Sequence, residues 1–196
     1  MSSPSQTRIF LVRHGPTHSK AMVGWSDLPA DLSDLARIEA LSDFLPERAR
    51  LVSSDLTRTR ATADVLQTPY RNRLPDVPGL REIHFGDWEL KPFAEIDKSH
   101  PDLSRAFWTE PGDCAAPGGE SWHEMEARAS AALSDLAAEG GDLIVVAHFA
   151  VILSQVARVS GKRPAEVLAH KIDNLSVTQI DVTPEGEMLR FINHVP

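Results

Sequence analysis

The stretch Arg8-Ile9-Phe10-Leu11-Val12-Arg13-His14-Gly15 sets the reading of the whole chain. Its first five residues form a short, nearly continuous apolar run, the pattern of a strand buried on both faces. Two more such runs follow, Arg50–Ser53 and Leu143–Ala147. Helical patterns lie between them. One helix is predicted from Ser33 to about Leu45, with Ser33 as its N-cap and Pro46 just beyond. A second begins near Asp55 or Thr57 and reaches about Leu66, after which Pro69, Pro75 and Pro78 break the chain. Pro92–His100 and Asp102–Thr109 read as short helices on either side of Pro101, and Glu110–Gly119 as a loop. Ser121-Trp122-His123-Glu124 is a capping box. Behind it Met125, Ala129, Ala132, Leu133 and Leu136 share one helix face, up to Gly140-Gly141. Ala150–Val159 is a further helix, and Val177–Val182 and Met188–His194 read as strands joined at Thr183–Gly186.

Strands alternating with helices imply an α/β fold in three layers. The sheet is expected to be mostly parallel, with helices on both faces and a C-terminal antiparallel hairpin. The 196 residues suit one domain, with residues of about 90–120 as a small helical and loop cap over the site. Lys and Arg number 20 against 28 Asp and Glu, a net charge of −8 without a basic block. That argues against nucleic acid or an anionic membrane as a partner. Cys114 is the only cysteine, so no intrachain disulfide forms and a reducing compartment fits. Met1–Thr7 is polar and lacks the apolar core of a signal peptide. The longest apolar stretch, Leu143–Leu153, is interrupted by His148 and is too short to span a bilayer. The expectation is a cytoplasmic protein of unspecified oligomeric state.

In parallel sheets, ligands bind beyond the carboxyl ends of the strands. Here those ends carry Arg13-His14-Gly15, then Ser54 to Arg58, then Ala147-His148. Two arginines and two histidines invite an anion. An Arg fork binds phosphate oxygens in pairs, and neutral imidazole is a nucleophile towards phosphorus. Taken singly, each is as readily a solvated loop arginine or a hydrogen-bonded structural histidine.

The motifs decide between those readings. Leu11-Val12-Arg13-His14-Gly15-Pro16-Thr17 resembles the LVRHGET signature of the histidine phosphatase superfamily, in its phosphoglycerate-mutase-like branch. In the same order come Ser54–Arg58 with Thr62-Ala63, then Leu80–Glu89, Pro117–Ser121 and Val145–His148, each similar to a block of that family. The resemblance implies a phosphoglycerate mutase-like fold and a phosphate monoester of small size as substrate, with no metal and no other cofactor. It makes His14 the nucleophile that forms a phosphohistidine. Arg13, Arg58 and His148 bind the phosphoryl oxygens, and Glu82 protonates the leaving oxygen and then activates water. Thr17 stands where the family has a phosphate-touching hydroxyl.

Lys20, Arg81 and Phe149 are further candidates for substrate contact. Lys20 stands where the family often has Asn, and Phe149 follows His148 where the family usually has Gly. Pro16 replaces the usual Glu and removes a backbone donor. These departures bear on specificity rather than on the catalytic set. Few residues follow His148, and helix and hairpin use them, so the site is expected to be open to water and the enzyme to be a phosphatase. The stretches Phe85–Glu89 and Trp108–Ser121 look similar to alpha-ribazole phosphatases. A mutase-type phosphoryl transferase and a weakly active phosphoester-binding module are the alternatives.

Overall fold

The computed structural model describes residues 6–196; of the polar N-terminal segment, Met1–Ser5 lie outside the described residues. The chain runs β1 (Thr7–Arg13), α1 (Leu35–Phe44), β2 (Ala49–Ser53), α2 (Thr57–Val65) and β3 (Arg71–Arg73). Then come α3 (Phe93–Ser99), α4 (Pro101–Thr109), α5 (Trp122–Ala137), β4 (Gly141–Ala147), α6 (Phe149–Ser160), α7 (Pro164–Val167), β5 (Val177–Thr183) and β6 (Gly186–His194). The six strands form one sheet in the order β3-β2-β4-β1-β5-β6. The first four in that order are parallel neighbours, while β5 is antiparallel to β1 and β6 to β5. The fold is therefore α/β, mostly parallel, with a C-terminal antiparallel hairpin.

Strand pleating builds the two core layers. Side chains alternate across a strand, so a strand with helices on both faces must be apolar at every position. In β1, Ile9 and Leu11 join the core beneath α5 and α6, where Met125, Ala129, Leu133, Ile152 and Val156 meet them. Phe10 and Val12 join the opposite core, against Ile38 and Leu41 of α1, Ala63 of α2 and Leu66 just beyond it. The same alternation runs through β4, with Val145 on one side and Ile144 and Val146 on the other.

Three local details differ from the sequence reading. Asp34, not Ser33, caps α1: its carboxylate accepts from Arg37 N at 3.1 Å. Between the prolines that break the chain lies β3, which pairs in parallel with β2. Pro101 is not a spacer but the first residue of α4, where a missing N–H costs nothing. The capping box at Ser121 and Glu124 is present on both sides of the exchange. No helix among the described residues is long and apolar enough to cross a membrane.

Topology places the site. Neighbours β1 and β4 lie in parallel register, with Arg13 opposite Ala147. The chain leaves β1 for α1 on one face and leaves β4 for α6 on the other. Two adjacent parallel strands that send their helices to opposite faces open a crevice at their carboxyl ends. His14 and His148 are the first residues beyond that paired register, so they flank the crevice.

Candidate active site

The two rings meet edge to face, 5.2 Å between centroids. Both side chains are buried. His14 Nδ1 lies 2.6 Å from its neighbour's carbonyl, Gly15 O. A carbonyl only accepts, so Nδ1 carries the proton and Nε2 keeps its lone pair. Burial, reinforced by the Arg58 and Arg13 cations, lowers the His14 pKa to about 3. The ring is therefore a neutral base at neutral pH. Gly15 leaves no room for a side chain: a Cβ there would sit 2.6 Å from Leu32 Cδ2 and 3.0 Å from Asp31 O. Its N–H donates to Thr62 Oγ1 at 3.0 Å, and Asn174 Nδ2 donates to His14 O at 2.8 Å. The loop that carries His14 is thus held from two sides.

His148 is the N-cap residue of α6, in extended backbone. Its Nε2 is 2.8 Å from Ser54 Oγ, which is in turn 2.7 Å from Thr59 Oγ1. Its Nδ1 is buried and lacks a partner within the protein. Burial, with Arg58 nearby, lowers its pKa well below the ordinary histidine value.

Both arginines are anchored by carbonyls at one end of the fork. Arg13 donates to Ile172 O at 2.5 Å, and its guanidinium lies 5.3 Å from the centre of the Phe149 ring. Arg58 on α2 donates to Ser26 O at 2.9 Å and Gly24 O at 2.6 Å. The Nε atoms of both are buried without a protein partner. Carbonyl anchoring fixes the cations without neutralising them, so their charge remains for an anion.

Glu82 approaches from the loop after β3. Its carboxylate accepts from the amides of Ile83 at 3.1 Å and Ala150 at 3.1 and 3.3 Å, in the first turn of α6. Burial raises its pKa above the ordinary carboxylate value, against the opposing pull of Arg58 and Arg13. The carboxyl also borders an apolar cleft whose wall includes Phe85, Phe107, Trp108 and Phe149. Phe107 and Trp108 come from the helical and loop segment between residues 90 and 120.

Three candidates remain. Thr17 is half-buried and Lys20 is exposed. Arg81 is committed to Asp55 through two bonds of 2.7 and 2.5 Å, with its guanidinium 4.7 Å from the Trp25 ring centre. Among the described residues, no group of three or more His, Cys, Asp or Glu side chains is placed to hold a metal ion.

Three supports escaped the sequence reading. Ser54 stood within a quoted block but without a role. Glu89 also ended a quoted block, and its carboxylate gathers the amides of Gly24, Trp25, Ser26 and Phe85 at 2.7–3.1 Å, with the Ser26 hydroxyl. It thereby shapes the loop whose carbonyls hold Arg58. Arg128 on α5 pairs with Glu120 and donates to Gly79 O, Arg81 O and Glu82 O. No sequence pattern marked it.

A neutral, buried imidazole near two cations, with a buried carboxyl group close to the same cations, has the chemistry that phosphoryl transfer asks for. Comparison with known proteins shows the family. The family model of the histidine phosphatase superfamily, branch 1, matches residues 9–195, and the chain belongs to that superfamily. It is an enzyme of the phosphatase type. It is 33% identical over 170 residues to a glucosyl-3-phosphoglycerate phosphatase of Mycolicibacterium vanbaalenii, covering 79% of this chain and 74% of that one. It is 26% identical over 192 residues to a putative phosphoserine phosphatase 2 of Hydrogenobacter thermophilus, covering 95% of each. Among solved structures, Bacillus stearothermophilus YhfR superposes with a TM-score of 0.88 at 26% identity, over 97% of this chain and 98% of that one.

Proposed function

We propose that the protein hydrolyses small phosphate monoesters without a metal, through a phosphohistidine on His14. The observation that carries this is the Nδ1–H bond from His14 to Gly15 O, which leaves Nε2 free beside Arg13 and Arg58. In the first step His14 Nε2 attacks phosphorus and the P–O ester bond breaks. Protonated Glu82 gives its proton to the departing oxygen, and the alcohol leaves. A dianionic substrate raises the Glu82 pKa further, which keeps the acid form available. In the second step water attacks the phosphorus, the P–N bond breaks, and Glu82 takes the water proton. Inorganic phosphate leaves and Glu82 is again an acid.

The unpartnered Nε atoms of Arg13 and Arg58 and Nδ1 of His148 serve the phosphoryl oxygens. Ser54 Oγ, 2.8 Å from His148 Nε2, holds the second histidine's ring in place. The segment of residues 90–120 acts as the cap that borders the leaving group. Thr17 and Lys20 stand close in sequence to the phosphate loop, and Phe149 backs Arg13. Alpha-ribazole 5′-phosphate is a substrate to test, on the strength of the resemblance in Phe85–Glu89 and Trp108–Ser121.

The test is phosphate release from a panel of monoesters in the presence of chelator, for wild type and His14→Ala. Release that resists chelator and is abolished in His14→Ala, with the folded circular-dichroism spectrum retained, is the expected result. Unchanged turnover in that variant overturns the mechanism.

A further inference from the structure

We infer that the alcohol portion of the preferred substrate is apolar, aryl or alkyl, and carries no second anionic group. This rests on the hydrolytic reading above and names the substrate class of the same site. The carboxyl of Glu82 sits at the boundary between the histidine pair and the apolar cleft. An acid that protonates the leaving oxygen must lie beside it. The group attached to that oxygen therefore extends into the space Glu82 borders. Phe85, Phe107, Trp108 and Phe149 wall that space, and Cys114 lies at its side. Phe107 meets Phe85, Trp88 and Trp108 at ring distances of 5.0–6.0 Å, so the wall is a packed aromatic cluster rather than a set of loose side chains.

The wall holds no Lys, Arg or His. A carboxylate or second phosphate on the substrate, as in a phosphoamino acid, a phosphoglycerate or a bisphosphate, would meet aromatic carbon and the Glu82 carboxyl. Such a group loses its hydration there without gaining a counter-charge. An apolar group gains from leaving water instead. Phe149, where the family usually has glycine, adds one face of this wall while backing Arg13.

The experiment compares kcat/KM for 3-phenylpropyl phosphate, ethyl phosphate and phosphoserine. All three release alkyl alcohols, so intrinsic leaving-group reactivity is closely matched. Wild type is expected to favour the phenylpropyl ester over ethyl phosphate by about 10-fold, the factor that half-burying a phenyl-sized group supplies, and to turn over phosphoserine most slowly. Cys114→Phe fills the cleft and Trp108→Ala opens its wall. Each is expected to cut the phenylpropyl preference at least fivefold while ethyl phosphate turnover stays within twofold. Equal kcat/KM for all three esters, or a preference for phosphoserine, overturns the inference and leaves the hydrolytic reading standing. Binding to His14→Ala, followed by tryptophan fluorescence, separates the two claims. A response to phenylpropyl phosphate at concentrations where ethyl phosphate gives none supports the cleft even if no ester is hydrolysed. Equal responses overturn it.

Discussion

Acid titration of stability reads the buried state of His14 directly. The ring is shut away from water beside Arg58, and its pKa falls from the ordinary 6.5 to about 3. A histidine with a depressed folded pKa stays neutral in the native state and takes up a proton on unfolding. Its stabilising contribution is therefore complete above pH 6.5 and is lost as pH falls from 6.5 towards 3. Each unit in that window is worth about 1.4 kcal/mol. Lowering the pH from 6.5 to 5 should thus cost about 2 kcal/mol through His14 alone. His148, shifted in the same direction by burial, adds to the loss. The carboxylates held below their ordinary value of 3.8 by partners, Asp55 by Arg81 and Asp173 by Lys171, keep their contributions throughout the interval from pH 6.5 to 5 and lose them only below 3.8, so they do not confuse the measurement. The assay is urea unfolding at pH 7, 6 and 5 for wild type and His14→Gln, which keeps a polar planar side chain but does not titrate. The wild-type curve should fall more steeply by about 2 kcal/mol between pH 6.5 and 5. Parallel curves for the two proteins would show that His14 is hydrated and protonates normally in the folded state, which would remove the basis for a neutral nucleophile.

Other outcomes follow from the supports around the site. Glu89→Gln leaves amides of the residue 24–26 loop facing an NH2 group; it should cost about 2–4 kcal/mol in urea unfolding and lower kcat/KM through the loosened Arg58, and unchanged values for both would deny the loop its anchor. Ser54→Ala removes the hydroxyl that holds the His148 ring; kcat/KM should drop about 10- to 100-fold, with ethyl and aryl phosphates equally affected, and a variant as active as wild type would deny Ser54 that role. Glu82→Gln should slow alkyl phosphates far more than activated aryl phosphates such as 4-nitrophenyl phosphate, because the latter need no proton on departure; equal loss for both would take the general-acid role from Glu82.

What the sequence made legible depended on how local the cause was. β1, β2 and β4 announce themselves because each is buried on both faces and must be apolar throughout. β3 does not, because Arg71-Asn72-Arg73 has no apolar signal. It exists because the buried Arg71 guanidinium ties Pro46 O, Ser42 O and Leu66 O together at 2.6–3.0 Å, a tertiary cause. Asp34 and Ser33 are both good caps, and only the path of the chain chooses between them. His14, Arg13 and His148 were visible from the strand-end rule alone. Glu82 was not, since it reaches the crevice on an irregular loop; the family motif pointed to it. Glu89 and Arg128 act through backbone groups distant in sequence, which no periodicity records.

The proposed site also divides by origin. Its phosphate end is built from residues at the carboxyl ends of β1, β2 and β4 and in the turns and helices that follow, so the sheet register fixes it. Much of its other wall comes from the segment between residues 90 and 120, which packs on the core without joining the sheet. Register constrains the first part strongly, because a slip in β1 would turn its side chains to the wrong core. It places no such constraint on Phe107, Trp108 or Cys114, which need only cover apolar surface. Chemistry and specificity can therefore change independently in this fold, except where the two parts share a residue. Glu82 and Phe149 are those residues: one must hold a proton at the boundary, and the other must back Arg13 while facing the cleft. The departure from glycine at position 149 falls where a single substitution touches both the phosphate cradle and the leaving-group wall.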